Sequence, residues 1–261
     1  MKFILLSQCT GYISPLGGCS EPAPAVWLRL LHAAVALTVL LVSSLASATE
    51  EFSPAERALF MTDHLSSVRT PTRFHYTFRK SGTLEEGFED KVTVAMTATD
   101  KTRCCTAAIE FLSGTHRVKL PEIESPTGNP VILHFLERDI REMQRHTKGQ
   151  PNYFRKRIRM AVFQGSKISD IKVPYRGVMV AAKQIEISPY TDDPLRPRYE
   201  KLADKQYVFT LSPDVPGGVY AIRTTVTGDS KPTHGSPLLL EEMTLDESGA
   251  QLRANTGPTT R

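Results

Sequence analysis

Cysteine is scarce in this chain, and recognisable catalytic motifs are missing. Four cysteines occur in 261 residues, at Cys9, Cys19, Cys104 and Cys105. The first two fall ahead of a candidate cleavage site, and the other two are adjacent. Neighbours on a strand point to opposite faces, so Cys104 and Cys105 are expected one inside and one outside, not bonded to each other. They give no disulfide framework and no metal-ligand spacing. There is no G-x-S-x-G, no glycine-rich phosphate loop and no Cys/His catalytic set. "HFLE" (His134–Glu137) is not a zincin motif, and His134 falls on the polar face of its helical wheel. "YTDDP" (Tyr190–Pro194) lacks the spaced ligands of a calcium loop. Neither an enzyme nor a cofactor nor a metal site is expected. Charge of one sign is lacking too: 32 basic residues face 28 acidic ones, spread along the chain, which is no nucleic-acid footprint.

What is present begins with a leader. Arg29 precedes the apolar run Ala33–Leu45, and Ala46-Ser47-Ala48 follows as an A-x-A cleavage site. This is the pattern of a secretory signal peptide, and the run is short for a membrane span. Residues 1–48 are read as leader, with residues 1–25 a candidate mis-called start, and "LGGC" (Leu16–Cys19) as a poor lipobox. The mature chain is expected to begin at Thr49, in the periplasm or outside the cell. Residues 49–247 then form one domain of adequate size for a core, and the apolar-poor 248–261 form a disordered tail.

Within the domain, Ser53, Pro54 and Glu56 make a capping box with proline at the first helical position. Ala58, Leu59, Met61, Leu65 and Val68 extend the pattern to a helix of about four turns. Strand alternation follows. Phe74, Tyr76 and Phe78 share one face of the first strand. Phe88, Val92, Val94 and Met96 share one face of the second, with Asp90 in phase, and Ala107, Ile109 and Phe111 one face of the third. "HRVKLP" is read as continuing the meander. Strands are also expected in "SDIKVPY", "VMVAAKQIEISPY", "KQYVFTLS", "GVYAIRTTVTG" and "LLLEEMTLD". About nine strands with clean alternation and no βαβ spacing mean an antiparallel sheet with one covered side.

Between the strand groups lies a helical hairpin, Asn129–Gly165. Asn129 and Pro130 start the first helix and Gly149 ends it. Ile132, Phe135, Leu136, Ile140 and Met143 form its apolar stripe. Glu137–Arg141 and Arg138–Glu142 are spaced for pairs on a solvated outer face. Asn152 is expected to cap the second helix, whose stripe is Phe154, Ile158, Ala161 and Val162. Asp139 falls inside the first stripe, where a carboxylate needs a partner. Arg157, flanking the second stripe, is the expected one, in a structural ion pair that fixes the hairpin. An Asp139–His146 couple is the functional alternative.

The order of capped helix, antiparallel meander, helical insert and further antiparallel strands, over about Phe52–Asp246, resembles the LolA/LolB-type periplasmic lipoprotein carriers. The single tryptophan, Trp27, lies in the leader, so their concave-face tryptophans have no counterpart here. "GNPVILHFLERDIREMQRHTKGQPNYFRKRIR" and "LSPDVPGGVY" also resemble an uncharacterised proteobacterial secreted family. The carrier resemblance implies an α+β fold: a curved antiparallel sheet or half-open β-barrel, with an N-terminal helix and the hairpin as lid. It also implies a periplasmic carrier for an apolar ligand, such as a lipid or a lipoprotein acyl chain, and the chain is expected to be a monomer. The expected lining is Phe74, Tyr76, Phe78, Val92, Val94, Met96, Ile109 and Phe111 from the sheet with Phe135 and Met143 from the hairpin. The basic outer face of Tyr153–Met160 is placed to meet a membrane surface. The alternative is a structural or interaction protein of the envelope with a fully packed core.

Overall fold

The computed structural model describes residues 52–98, 105–119, 121–126, 128–227 and 237–247. The chain separates into two compact units, Met1–Glu50 and Glu51–Arg261, and every described residue lies in the second. The expected leader, its cleavage site and the tail lie outside the described residues. Among the described residues, no helix is long and apolar enough to cross a membrane.

Nine strands build one open antiparallel sheet in an α+β fold: β1 (Thr72–Ser81), β2 (Phe88–Ala98), β3 (Cys105–Phe111), β4 (Ile123–Glu124), β5 (Lys167–Tyr175), β6 (Val178–Ile187), β7 (Gln206–Leu211), β8 (Val219–Val226) and β9 (Leu239–Leu245). Their order across the sheet is β4-β3-β2-β1-β9-β8-β7-β6-β5. The chain therefore starts mid-sheet, runs out to the β4 edge, re-enters at the opposite edge and returns until β9 pairs with β1. The helical hairpin α2 (Pro130–Thr147) and α3 (Pro151–Gln164) lies in the one connection between the two edges. A helical pair thus sits among strands because the sheet is laid down in two halves.

Alternation and register agree. Phe74 pairs with Val94 and Tyr76 with Val92. Val94 and Val92 pair in turn with Ile109 and Phe111, and Phe78 pairs with Met243 of β9. Paired residues share a face, so these side chains form one continuous apolar surface, all of it buried.

Several local expectations are corrected. The capping box forms: Glu56 N–H donates to Ser53 Oγ (3.2 Å) and Ser53 N–H to the Glu56 carboxylate (2.9 Å). The helix it starts, α1 (Pro54–Glu56), runs into a π-helical turn, Arg57–Met61, and stops there. Thr62 closes it, donating to the Arg57 carbonyl from both N–H and Oγ1 (2.9 Å each). Asp63 then accepts from Leu65 N–H, a local turn bond that competes with helix. Met61 is left exposed. "HRVKLP" does not continue the meander: Gly114–His116 is a 3-10 turn, and Val118 makes only an isolated bridge to Phe111. Asn129 does cap α2, accepting from Val131 and Ile132 N–H. The left-handed residue that ends α2 is Lys148 (φ 57°), one before Gly149. Gly149 serves close packing, since a Cβ there would meet Phe154 Cζ at 2.4 Å. Gln150, not Asn152, precedes α3, without a side-chain cap. Asn152 accepts from Arg155 instead. Cys105 is fully buried, as one of the two neighbouring cysteines was expected to be, and it is disulfide-bonded, although the cysteine spacing gave no disulfide framework.

Candidate functional site

The ten residues expected to line a ligand site do come together. Phe74, Tyr76, Phe78, Val92, Val94, Met96, Ile109, Phe111, Phe135 and Met143 all belong to one core cluster, none more than 8% exposed. The stripes of α2 and α3 pack into the same cluster. Aromatic rings interlock within it, Phe78 against Phe111 at 6.2 Å and Phe74 against Tyr76 at 6.1 Å, both edge-on. The Tyr76 hydroxyl donates to the Val219 carbonyl (3.1 Å), and burial raises its pKa far above the ordinary range.

Charges cross this core from helix to sheet. Asp139 is fully buried and bonded to the Lys205 ammonium. The Tyr207 hydroxyl donates to its other oxygen at 2.6 Å. Burial and the Asp139 charge together push the Tyr207 pKa well up. The expected Asp139–Arg157 pair does not form. Arg157 instead lies 2.9 Å from Asp193 and donates to the Pro189 carbonyl. The Asp193 carboxylate also accepts from Tyr153 (2.7 Å), so the buried one of the two "YTDDP" acids is already paired. Immediately before Asp139 on α2, Arg138 is 5% exposed, not solvated as its spacing to Glu142 suggested. Both of its terminal nitrogens donate to Glu241 Oε1 of β9 at 3.0 Å, and its guanidinium lies over the Phe78 ring. Burial opposes ionisation of Glu241, but the charges of Arg138 and Lys205 outweigh it and hold the carboxyl at about 2. His134 is also buried, contrary to its polar-face placement, and its Nδ1 has no hydrogen-bond partner among the described residues. Burial lowers its pKa.

The Asp139–His146 couple is likewise not assembled. His146 stands beside Glu85 (3.5 Å) and Arg145. Glu85, Glu142 and His146 bring one ligand atom each within 4.8 Å of one another, a spacing a metal ion could use. Lys80 and Arg145 already hold Glu85, and Arg145 also holds Glu142. The two cations supply the positive charge an ion would bring, so this arrangement is an ion-pair network.

An open groove of about 940 Å³ lies elsewhere, between the N-terminal segment and β5–β7. Its apolar lining comes from Pro54 and Ala58 on one side, Ile168, Ile171, Ala181 and Ala182 on the other, with Leu211 and Pro213. Thr62, Asp63, His64, Ser66 and Ser67 bring polar groups from the N-terminal turns, and Asp170, Lys183 and Ser212 from the sheet. None of the ten expected lining residues borders it. The shortened N-terminal helix helps make it: past Met61 the chain turns instead of covering β5–β7 with another helical turn. The turns are anchored by His64, whose Nδ1 is 3.1 Å from Asn129 Nδ2. The same Asn129 amide donates to the Gly217 carbonyl (2.7 Å). His64 also stacks closely on Gly218, where a Cβ would come within 2.8 Å of it. A second, smaller depression of about 450 Å³ on the outer face of α3 is lined by Glu56, Asn152, Lys156, Arg159, Met160 and Phe163.

The sequence pointed to the packed face and to Asp139 but missed Lys205, Tyr207 and the groove. No protein-family model and no curated protein matches the sequence. Among solved structures, the chain is similar to the Mycobacterium tuberculosis lipoprotein LppX. The identity is 9% and the TM-score 0.29, over 68% of this chain and 86% of that one.

Proposed function

We propose that this chain is an extracytoplasmic, monomeric binding module that holds an apolar, lipid-like ligand in the groove between the N-terminal turns and β5–β7. One observation carries the reading: an open, largely apolar groove of about 940 Å³ stands apart from a core that is already filled. Pockets of roughly 300–1,000 Å³ with apolar walls and a few polar groups are typical of small-ligand sites. Export of the chain by its Arg29–Ala48 leader, with cleavage before Thr49, is part of the proposal.

The space between hairpin and sheet is the less accessible alternative. Entry there as the hairpin lifts would break the Asp139–Lys205 and Arg138–Glu241 pairs, at roughly 3–5 kcal/mol for each buried pair lost. Those ties favour a second reading, a structural envelope protein whose hairpin is fixed. Two measurements separate the readings. Native mass spectrometry of protein purified from its own host should show a co-purified lipid. Ala181→Trp, a bulky side chain on an exposed groove wall, should abolish uptake of a fluorescent apolar probe and leave the melting temperature near wild type. Equal uptake by wild type and variant, or none by either, leaves the structural reading.

A further inference from the structure

Four charged side chains border the groove, Arg57, Asp63, Asp170 and Lys183, two of each sign. Lys183 and Asp170 face each other across β5 and β6 at 2.7 Å. Asp63 accepts from Leu65 N–H. Arg57 is engaged as well. His64 adds no charge: burial lowers its pKa, and its ring is held against Asn129. The other polar groups are hydroxyls, on Thr62, Ser66, Ser67 and Ser212. Lys156 and Arg159 line the separate depression on α3 and border no part of the groove.

Resting on the groove being the binding site, we infer that its ligand is an uncharged lipid, with a hydroxyl- or ester-bearing head such as that of a monoacylglycerol, and not a free fatty-acid anion. An anionic head brought against this lining meets no net positive charge. It must either stay in water or take Lys183 from Asp170, which leaves a second carboxylate facing it. A neutral head loses little hydration, and a head hydroxyl can donate to the oxygens of Thr62, Ser66 and Ser212, whose own protons go to backbone carbonyls, while the chain lies along Ala58, Ile168, Ala181 and Leu211, which share the Asp170–Lys183 side of the sheet where they lie on it. Affinity then follows chain length and is nearly independent of salt, since little charge pairing is screened.

The test is displacement of Nile red from the delipidated secreted chain by a monoacylglycerol and by the free fatty acid of the same chain length, at low and high salt. The monoacylglycerol should displace the probe at a concentration lower by about tenfold or more, because a carboxylate held in water at the rim keeps its nearest methylenes out of the groove, at about 0.8 kcal/mol each. Asp170→Asn, which releases Lys183, should narrow that ratio by strengthening the fatty acid. The inference is overturned if the fatty acid binds as tightly as the neutral lipid in the wild type, or if Asp170→Asn leaves the ratio unchanged. Failure of the groove reading looks different: Nile red does not bind at all, or Ala181→Trp does not weaken it, whichever lipid competes.

Discussion

Replacing Asp139 with alanine is expected to be among the most damaging single changes in the core. Asp139 is fully buried, and so are both partners: Lys205 is 1% exposed and Tyr207 fully buried. Removal leaves an ammonium without its counter-ion and a phenol without its acceptor. Breaking a buried pair from one side costs about 3–5 kcal/mol, and an orphaned buried hydroxyl adds roughly 1–3 kcal/mol, not fully additive. A loss near 4 kcal/mol is a large share of the roughly 5–15 kcal/mol that holds a domain together. It lowers the melting point of a chain this size by about 10 °C. Urea and thermal denaturation followed by circular dichroism read both quantities. The partner is identified by rescue. Asp139→Leu combined with Lys205→Met and Tyr207→Phe should recover most of the loss, because replacing all the polar members together leaves none unsatisfied. Asp139→Leu with Arg157→Met should not. A single variant as stable as wild type, or rescue through Arg157, would refute the reasoning.

Three further outcomes are expected. Acid should destabilise the fold: Glu241 and Glu85 both have carboxyls held at about 2, below the ordinary 4.5, because their basic neighbours outweigh the burial that opposes ionisation. The unfolded chain then takes up protons first, so stability present above about pH 4.5 is lost as pH falls toward 2, by about 3 kcal/mol for Glu241 alone. Urea midpoints measured from neutral pH downward check this, and Glu241→Gln should flatten the slope. Gly217→Ala should cost roughly 1–3 kcal/mol, since φ is +73° and the added Cβ would stand 2.9 Å from Phe74 Cζ; chemical denaturation measures it. Ser53→Ala should cost about 1 kcal/mol, because the same Oγ caps α1 and donates to the Val162 carbonyl of α3, and thermal melting should show a small downward shift.

Periodicity made most of this fold legible. Phe74, Tyr76 and Phe78 alternate because one side of β1 is covered, and the alternation survives into register, with Phe74 opposite Val94 and Tyr76 opposite Val92. The hairpin's ends were readable where a side chain does the capping, at Asn129, and misread where backbone geometry does it, at Lys148 and Gln150. The N-terminal helix was overextended because apolar spacing continues through Leu65 and Val68, while the local bonds of Thr62 and Asp63 end it. Charges were harder. The wheel correctly placed Asp139 in the core, but its partners lie 66 and 68 residues away, on either side of the start of β7, where no local pattern points back to α2. Arg138 looked solvated because the acid that buries it, Glu241, comes from β9. The groove was invisible for the same reason: its walls are separated by over a hundred residues and carry ordinary turn and strand sequences.

The most direct test of the account is to map where a ligand sits. Irradiating the purified chain with a monoacylglycerol carrying a photoreactive group at its chain end, followed by peptide mass mapping, locates the acyl chain. Adducts on Pro54–Ser67 and on Ile168–Lys183 are the predicted result. Adducts on Phe74, Phe111 or Met143 would place the ligand beneath the hairpin and contradict it.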